Sequence, residues 1–84
     1  MHDESVIAQK MLSLLKQRGA EKSICPSEIA RALADDSNWR SLMVPVRAVA
    51  RKLARQGNVV ITQRGKPVEP DNFKGPVRIS LRQP

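Results

Sequence analysis

Apolar residues recur at helical spacing in the first quarter of the chain. Between Asp3 and Gly19, the apolar positions 7, 11, 14 and 15 fall on one face, with 8 and 12 at its margin. Asp3 is a suitable N-cap, and Gly19 suits the position just beyond a helix C-terminus. The spacing therefore predicts a first amphipathic helix over this segment.

A second, shorter helix is predicted to begin at Pro26, after a short extended segment formed by Ile24 and Cys25. A proline suits the first helical position because the N–H that it lacks has no intrahelical acceptor there. Cys25 then lies at the cap, and Glu28 falls in the first turn, where an acid complements the helix dipole. The expected buried stripe of this helix is Ile29, Ala30 and Leu33.

Pro45 separates the turn "WRSLM" from a third helix. A proline inside a helix costs about 3 kcal/mol, so we expect a break near Met43–Val44 and a new helix from about residue 45 to residue 56. Gly57 then follows the helix, and Arg47 lies in its first turn. Apolar residues at i, i+3, i+4 and i+7 predict the face that packs on the core: Val46, Val49, Ala50 and Leu53.

Two segments in the last third of the chain have strand character. Residues 58–64 are rich in β-branched side chains, and residues 77–82 alternate apolar with polar ones, as in a half-buried strand. We expect them to pair antiparallel across a loop of residues 65–76. The element order predicts a mainly α winged helix-turn-helix, with a three-helix core and a small antiparallel hairpin as the wing. It forms one domain over residues 1–84, with an ordered core of about residues 5–82.

The net charge of +7 is confined to one half of the chain. Residues 1–43 contain six basic and six acidic residues, whereas residues 44–84 contain nine basic and two acidic ones. Such asymmetry favours a polyanionic partner, although a basic surface can also serve solubility alone.

The outer face of the third helix is expected to be entirely cationic. Arg47, Arg51 and Arg55 stand one turn apart, Lys52 lies beside them, and no acid occurs between residues 37 and 68. Like charges at i, i+4 repel, and nothing local offsets that repulsion. In a winged helix this helix enters the major groove of DNA, so Arg47 and Arg51 are candidates for base contacts. Arg55 and Lys52 are candidates for phosphate contacts.

Further DNA contacts are predicted outside the third helix. Arg64 and Lys66, at the wing, could meet the minor groove or flanking phosphates. Ser27, at the start of the second helix, could offer a phosphate its hydroxyl and backbone N–H. The alternative for the wing is an ordinary hairpin loop whose tip is anchored by Phe73.

Several other classes of function are not expected. The single cysteine, Cys25, excludes an internal disulfide, and together with His2 it cannot make a zinc site. No phosphate-binding glycine loop, carboxylate cluster or nucleophile–base pair is visible, so we expect neither an enzyme nor a cofactor. The acidic start and the lack of an 18-residue apolar run predict a cytoplasmic protein. Trp39 is expected to pack on the core rather than to stack on a base.

Three segments resemble a known family: "ICPSEIARAL", "WRSLMVPVRAVARKLARQGNVVITQRGKPV" and "KGPVRISL". Together they resemble a family of small bacterial proteins catalogued as a domain of unknown function and taken to be winged-helix-like. The resemblance covers roughly residues 7–82 and implies the fold alone, since the family has no established activity to carry over.

The sequence therefore predicts a double-stranded-DNA-binding protein, such as a small transcriptional regulator, with residues 45–56 as recognition helix. Two alternatives use the same basic surface: a protein–protein interaction module that docks on an acidic partner, and a structured-RNA binder. The oligomeric state stays open.

Overall fold

Three α-helices pack on one face of a four-stranded antiparallel sheet in the computed structural model, which describes residues 3–35 and 37–82. His2 and Asp36, which entered the sequence arguments on zinc and charge, lie outside the described residues. The helices are α1 (Glu4–Arg18), α2 (Pro26–Leu33) and α3 (Met43–Arg55), and the strands are β1 (Ser23–Ile24), β2 (Val59–Gln63), β3 (Lys66–Pro67) and β4 (Arg78–Leu81).

The first helix is capped as its sequence predicts. The Asp3 carboxylate accepts a hydrogen bond from the Val6 N–H at 2.9 Å, and the Gly19 N–H donates to the Leu15 carbonyl at 3.1 Å. These bonds satisfy backbone groups that a helix end otherwise leaves unpaired. The buried face of α1 consists of Ile7, Met11 and Leu15.

The second helix begins at Pro26, as predicted, and Glu28 fixes its start. One Glu28 oxygen accepts from the Cys25 N–H at 2.8 Å, and the other accepts from Arg18 at 2.5 Å. The hydrogen bond from Cys25, and then the nearby guanidinium groups of Arg18 and Arg78, hold the pKa of Glu28 below its ordinary value. The α1–α2 junction is therefore tied by an ionised carboxylate.

The predicted start of the third helix is wrong by two residues. A 3₁₀ turn, Trp39–Leu42, leads directly into α3 at Met43, so Pro45 is the third residue of the helix. The first four N–H groups of a helix have no intrahelical acceptor, and a proline therefore breaks no bond at this position. As a consequence Val44 is helical, and Arg47 lies in the second turn instead of the first.

The sheet is larger than the predicted hairpin, and the fold is not mainly α. β2 and β4 pair antiparallel, with Ile61 opposite Ile79, as the strand patterns indicate. In addition β1 pairs with β4, with Ile24 opposite Ile79, and β3 pairs with β2, which gives the order β1-β4-β2-β3. The prediction missed these pairings because two-residue strands are too short to show a periodic pattern.

The core lies between the three helices and the inner face of the sheet. The apolar stripe of α3 is buried as predicted, together with the inward-facing Ile24, Ile61 and Ile79. Among the described residues, no charged or polar side chain is fully buried. None of the described helices is long and apolar enough to span a bilayer.

Candidate nucleic-acid interface

The β3–β4 loop (residues 68–77) lies against the cationic face of α3. Phe73, at the centre of the loop, is only 8% exposed. Its ring centroid lies 5.3 Å from Cζ of Arg47 and 4.6 Å from Cζ of Arg51, within the range of cation–π contact. Phe73 therefore anchors the loop, as the alternative for the wing supposes, and it does so through contacts with these two arginines.

A second contact also attaches Arg47 to this loop. Its Nη2 donates to the carbonyl of Gly75 at 2.5 Å, and its Nε is buried without a hydrogen-bond partner among the described residues. Most of the Arg47 head group therefore faces its own chain. Arg51 differs, since its guanidinium stacks on Phe73 but makes no hydrogen bond or ion pair within the described chain.

The other two cations of α3 have acidic partners from distant parts of the sequence. Arg55 forms an ion pair with Asp71 of the loop, and Lys52 forms one with Glu4 at the start of α1. All four side chains are about half exposed or more. Such pairs contribute about 0–1 kcal/mol each. As expected, α3 contains no acid that would offset the repulsion between its cations. The tertiary ion pairs with Glu4 and Asp71 do offset it.

The β2–β3 turn presents two further cations. Gln63 and Lys66 are paired across a two-residue turn whose central residues, Arg64 and Gly65, have φ of 55° and 82°. Positive φ at both positions defines a type I′ turn, which suits right-handed strand twist but is unfavourable for an arginine. Arg64 and Lys66 are exposed, and their side chains make no hydrogen bond or ion pair with the described residues.

The Gln63 side chain connects this turn to the β3–β4 loop. Its amide nitrogen donates to the carbonyls of Lys74 and Pro76, the latter at 3.1 Å. Lys74 is thereby placed between the turn and α3, with its own side chain exposed and unpaired within the described part of the chain.

Two surface depressions meet at Lys74 and Gly75. One, of about 330 Å³, lies between α3 and the loop and is also lined by Val44 and Arg51. The other, of about 740 Å³, lies between the loop and the outer face of the sheet and is also lined by Arg64. Among the residues that the structure describes, no acidic one lines either depression. The structure thus joins α3, the loop and the turn into one cationic surface.

Ser27 is not part of this surface, although its neighbour Cys25 lines the larger depression. Its hydroxyl donates to the Cys25 sulfur at 3.2 Å, and it lines neither depression. Of the predicted site residues, Arg47, Arg51 and Arg64 line the two depressions, and Lys66 belongs to the same turn as Arg64. Lys52, Arg55 and Ser27 line neither depression. Trp39 packs against the core between Arg31 and Arg40, whose Cζ atoms lie 4.4 and 4.6 Å from its ring centroid.

Sequence reasoning did not assign Val44 or Glu4 to the site. It also did not predict that Asp71 pairs with Arg55 or that Lys74 links the two depressions. The resemblance noted in the sequence extends to a match with a protein family over residues 4–82, nearly the whole chain. No curated protein matches the chain. The chain belongs to the family described as "Protein of unknown function (DUF3253)".

Proposed function

We propose that this chain is a winged-helix protein that binds double-stranded DNA, with α3 in the major groove and the β3–β4 loop as the wing. The fold supports the first part of this proposal. A winged helix requires a short strand after the first helix, a third helix followed by two strands, and a loop between those strands that flanks the third helix. The order α1-β1-α2-α3-β2-β4 and the sheet neighbours β1-β4-β2 meet these requirements.

The observation that carries the proposal is the continuous run of unpaired cations from Arg51 through Lys74 to Arg64. These three side chains line two depressions that meet at Lys74, and no acid in the described part of the chain lines either one. Guanidinium and ammonium groups without internal partners are available to phosphate oxygens. A duplex that receives α3 in its groove would place a phosphate backbone beside the loop and the turn.

The α3 cations then divide into separate roles. Arg47 holds the wing against the helix through Gly75 and Phe73. Arg51 faces the groove. Lys52 and Arg55 meet phosphates by exchanging Glu4 and Asp71 for backbone oxygens, an exchange that costs little because both ion pairs are exposed. A transcriptional regulator is one use of such a protein.

The proposal is tested by the salt dependence of binding. Fluorescence anisotropy of a labelled random-sequence duplex should show binding at low salt that weakens linearly in log salt, with a slope of about −3 to −5 for four or five phosphate contacts. The same sequence as duplex RNA should bind more weakly, because its major groove is too narrow for a helix. Absence of duplex DNA binding at low salt, with micromolar protein, would overturn the proposal.

Two charge-matched double variants separate this surface from general basicity. Lys66→Ala/Lys74→Ala removes two cations from the proposed interface, and Lys16→Ala/Lys22→Ala removes two exposed cations from α1 and the segment that follows it. Both variants lower the net charge equally. The first should reduce the salt slope by about 2, and the second should leave it nearly unchanged. Equal losses would indicate sequence-blind attraction to the whole molecule.

A further inference from the structure

The side of α3 that points away from the core carries a distinct row of residues. Val44, Ala48, Arg51 and Arg55 follow one another at intervals of four, three and four positions, which keeps them on one face. The opposite face is the buried stripe that contains Val46 and Leu53. We call this row the outer ridge of α3.

Val44 is the apolar member of the ridge and is 78% exposed. It packs on nothing in the core, although the structure places it in the first turn of α3, next to the depression that Arg51 also lines. An exposed valine is not unusual by itself. Its position is informative because the N-terminal part of a recognition helix is the part that lies nearest the base edges.

Among the residues of the outer ridge, Arg51 has the side chain best oriented to donate directional hydrogen bonds. Phe73 covers one face of its guanidinium at 4.6 Å and restricts its orientation. The N–H groups at the edge of the guanidinium have no acceptor within the described chain. A stacked arginine with a free edge loses less freedom when it forms two parallel hydrogen bonds, such as those to O6 and N7 of guanine. Arg47 lacks this freedom because it donates to Gly75.

We propose that the outer ridge recognises a thymine and a guanine: Val44 contacts the thymine C5-methyl group, and Arg51 donates to O6 and N7 of guanine. The inference rests on the proposed function and adds to it a preference of the protein for a particular DNA sequence. Ala48 lies between the two and permits close approach of the helix to the bases. The seven-residue separation corresponds to about 10 Å along the helix, or roughly three base-pair steps.

The experiment starts with selection from a duplex library with a randomised centre, using the wild-type protein. The selected sites should contain a thymine and a guanine at a fixed short spacing. In the best selected duplex, two atomic replacements then test each contact: deoxyuridine for thymidine removes the C5-methyl group, and 7-deazaguanine removes N7. Affinities are measured by anisotropy.

Matched variants complete two double-mutant cycles. Val44→Ala and the deoxyuridine replacement should each weaken binding about threefold to fivefold, and the combination should be no weaker than either alone. Arg51→Lys keeps the charge but loses the two-pronged geometry, so it should weaken binding about tenfold to the guanine duplex and much less to the 7-deazaguanine duplex. The unfolding curve of Val44→Ala should match the wild type, and that of Arg51→Lys should lie close to it because lysine keeps a cation over Phe73. The losses in affinity then reflect binding and not unfolding.

The possible failures are distinguishable. If no duplex is bound, the proposed function fails and this inference falls with it. If duplexes are bound with the expected salt slope but selection yields no common thymine–guanine pair, or the replacements and substitutions act additively, the ridge does not recognise these bases. The protein would then bind DNA through its backbone alone.

Discussion

The cations of α3 and those of the turn and loop are equivalent by charge, but the fold treats them differently. Arg47 and Arg55 are bound to the β3–β4 loop, and Lys52 to α1. Arg64 and Lys74, by contrast, make no side-chain hydrogen bond or ion pair within the described residues. Arg47, Lys52 and Arg55 help to hold the molecule together, whereas Arg64 and Lys74, like Arg51 of α3, are available to a partner.

This difference has an energetic meaning. A side chain with contacts inside the chain contributes to the free energy of unfolding of the protein alone. A side chain without such contacts contributes to stability only when a partner binds to it. Substitutions of Arg47, Lys52 or Arg55, the α3 cations that are bound within the chain, should therefore affect stability and binding together. Substitutions at the turn should affect binding without loss of stability.

The largest expected effect is that of Phe73→Ala. The substitution removes the aromatic ring that two arginines cover, and it should lower the free energy of unfolding by about 2–3 kcal/mol, somewhat less than for a fully enclosed phenylalanine. Urea denaturation measures this change. Phe73→Leu retains apolar volume but loses the aromatic face, and it should cost about 1 kcal/mol. If Phe73→Ala leaves stability unchanged, the loop does not hold the α3 arginines in solution.

Arg78 is a cation on the sheet side that has partners among the described residues, and the pH dependence of Glu28 tests the charged contacts around it. Arg78 lines the larger depression, but it donates to Ser23 and lies near the Glu28 carboxylate. Because the folded-state pKa of Glu28 is held below its ordinary value of 4.5, its contribution to stability is present above that pH. The contribution is lost as the pH falls through the lower, folded-state value.

Glu28→Gln should therefore lower the free energy of unfolding by about 1 kcal/mol at pH 7. The difference between variant and wild type should shrink as the pH falls below 4.5. Chemical denaturation at a series of pH values measures it. A difference that stays constant down to the acid transition would show that the Glu28 charge plays no part in tying α2 to α1.

Arg64→Asn separates binding from stability at the turn. Asparagine accepts a positive φ better than arginine and is favoured in type I′ turns, so stability should rise by about 0.5 kcal/mol. The loss of an unpaired cation should at the same time weaken duplex binding about threefold at low salt. Thermal unfolding and anisotropy on the same preparation measure both. A fall in stability would place Arg64 among the structural cations and remove the contrast between the two regions.

The sequence indicated most of the fold because its helices and long strands have clear periodicity. The bounds of α1 and α2 and the pairing of β2 with β4 follow from apolar spacing and caps near in sequence. The start of α3 did not follow, because a proline is tolerated throughout the first helical turn and its exact place there is set by the preceding 3₁₀ turn. The short extended segment before α2 was predicted, but its pairing with β4 and the strand β3 were not, because tertiary pairing, not local preference, extends them.

The candidate site was less predictable than the fold. The helical spacing of Arg47, Arg51 and Arg55 identifies a cationic face, but their partners Phe73, Asp71 and Gly75 lie 16 or more positions away. The arginines meet these partners only because the β3–β4 loop folds back across α3. No periodic pattern in the sequence predicts this path of the loop. The sequence could therefore locate the charge but could not distinguish the occupied cations from the free ones.

The smallest expected effect concerns Asp71, the acid that occupies Arg55. Asp71→Asn keeps the size of the side chain and removes its charge, so Arg55 becomes available to a phosphate without a competing carboxylate. Duplex affinity should rise about twofold to threefold, and the salt slope should steepen by up to about 0.9. The ion pair is exposed, so the free energy of unfolding should change by less than about 0.5 kcal/mol.

Glu69→Gln is the matched control for Asp71→Asn, because Glu69 is an exposed acid on the same loop that forms no ion pair with the described residues. The two variants change the net charge equally and at nearly the same place. A larger gain in affinity for Asp71→Asn indicates that release of Arg55 matters beyond general electrostatic attraction. Equal gains would mean that Arg55 stays with the loop when DNA binds, and α3 would then contact DNA through its outer ridge without Arg55.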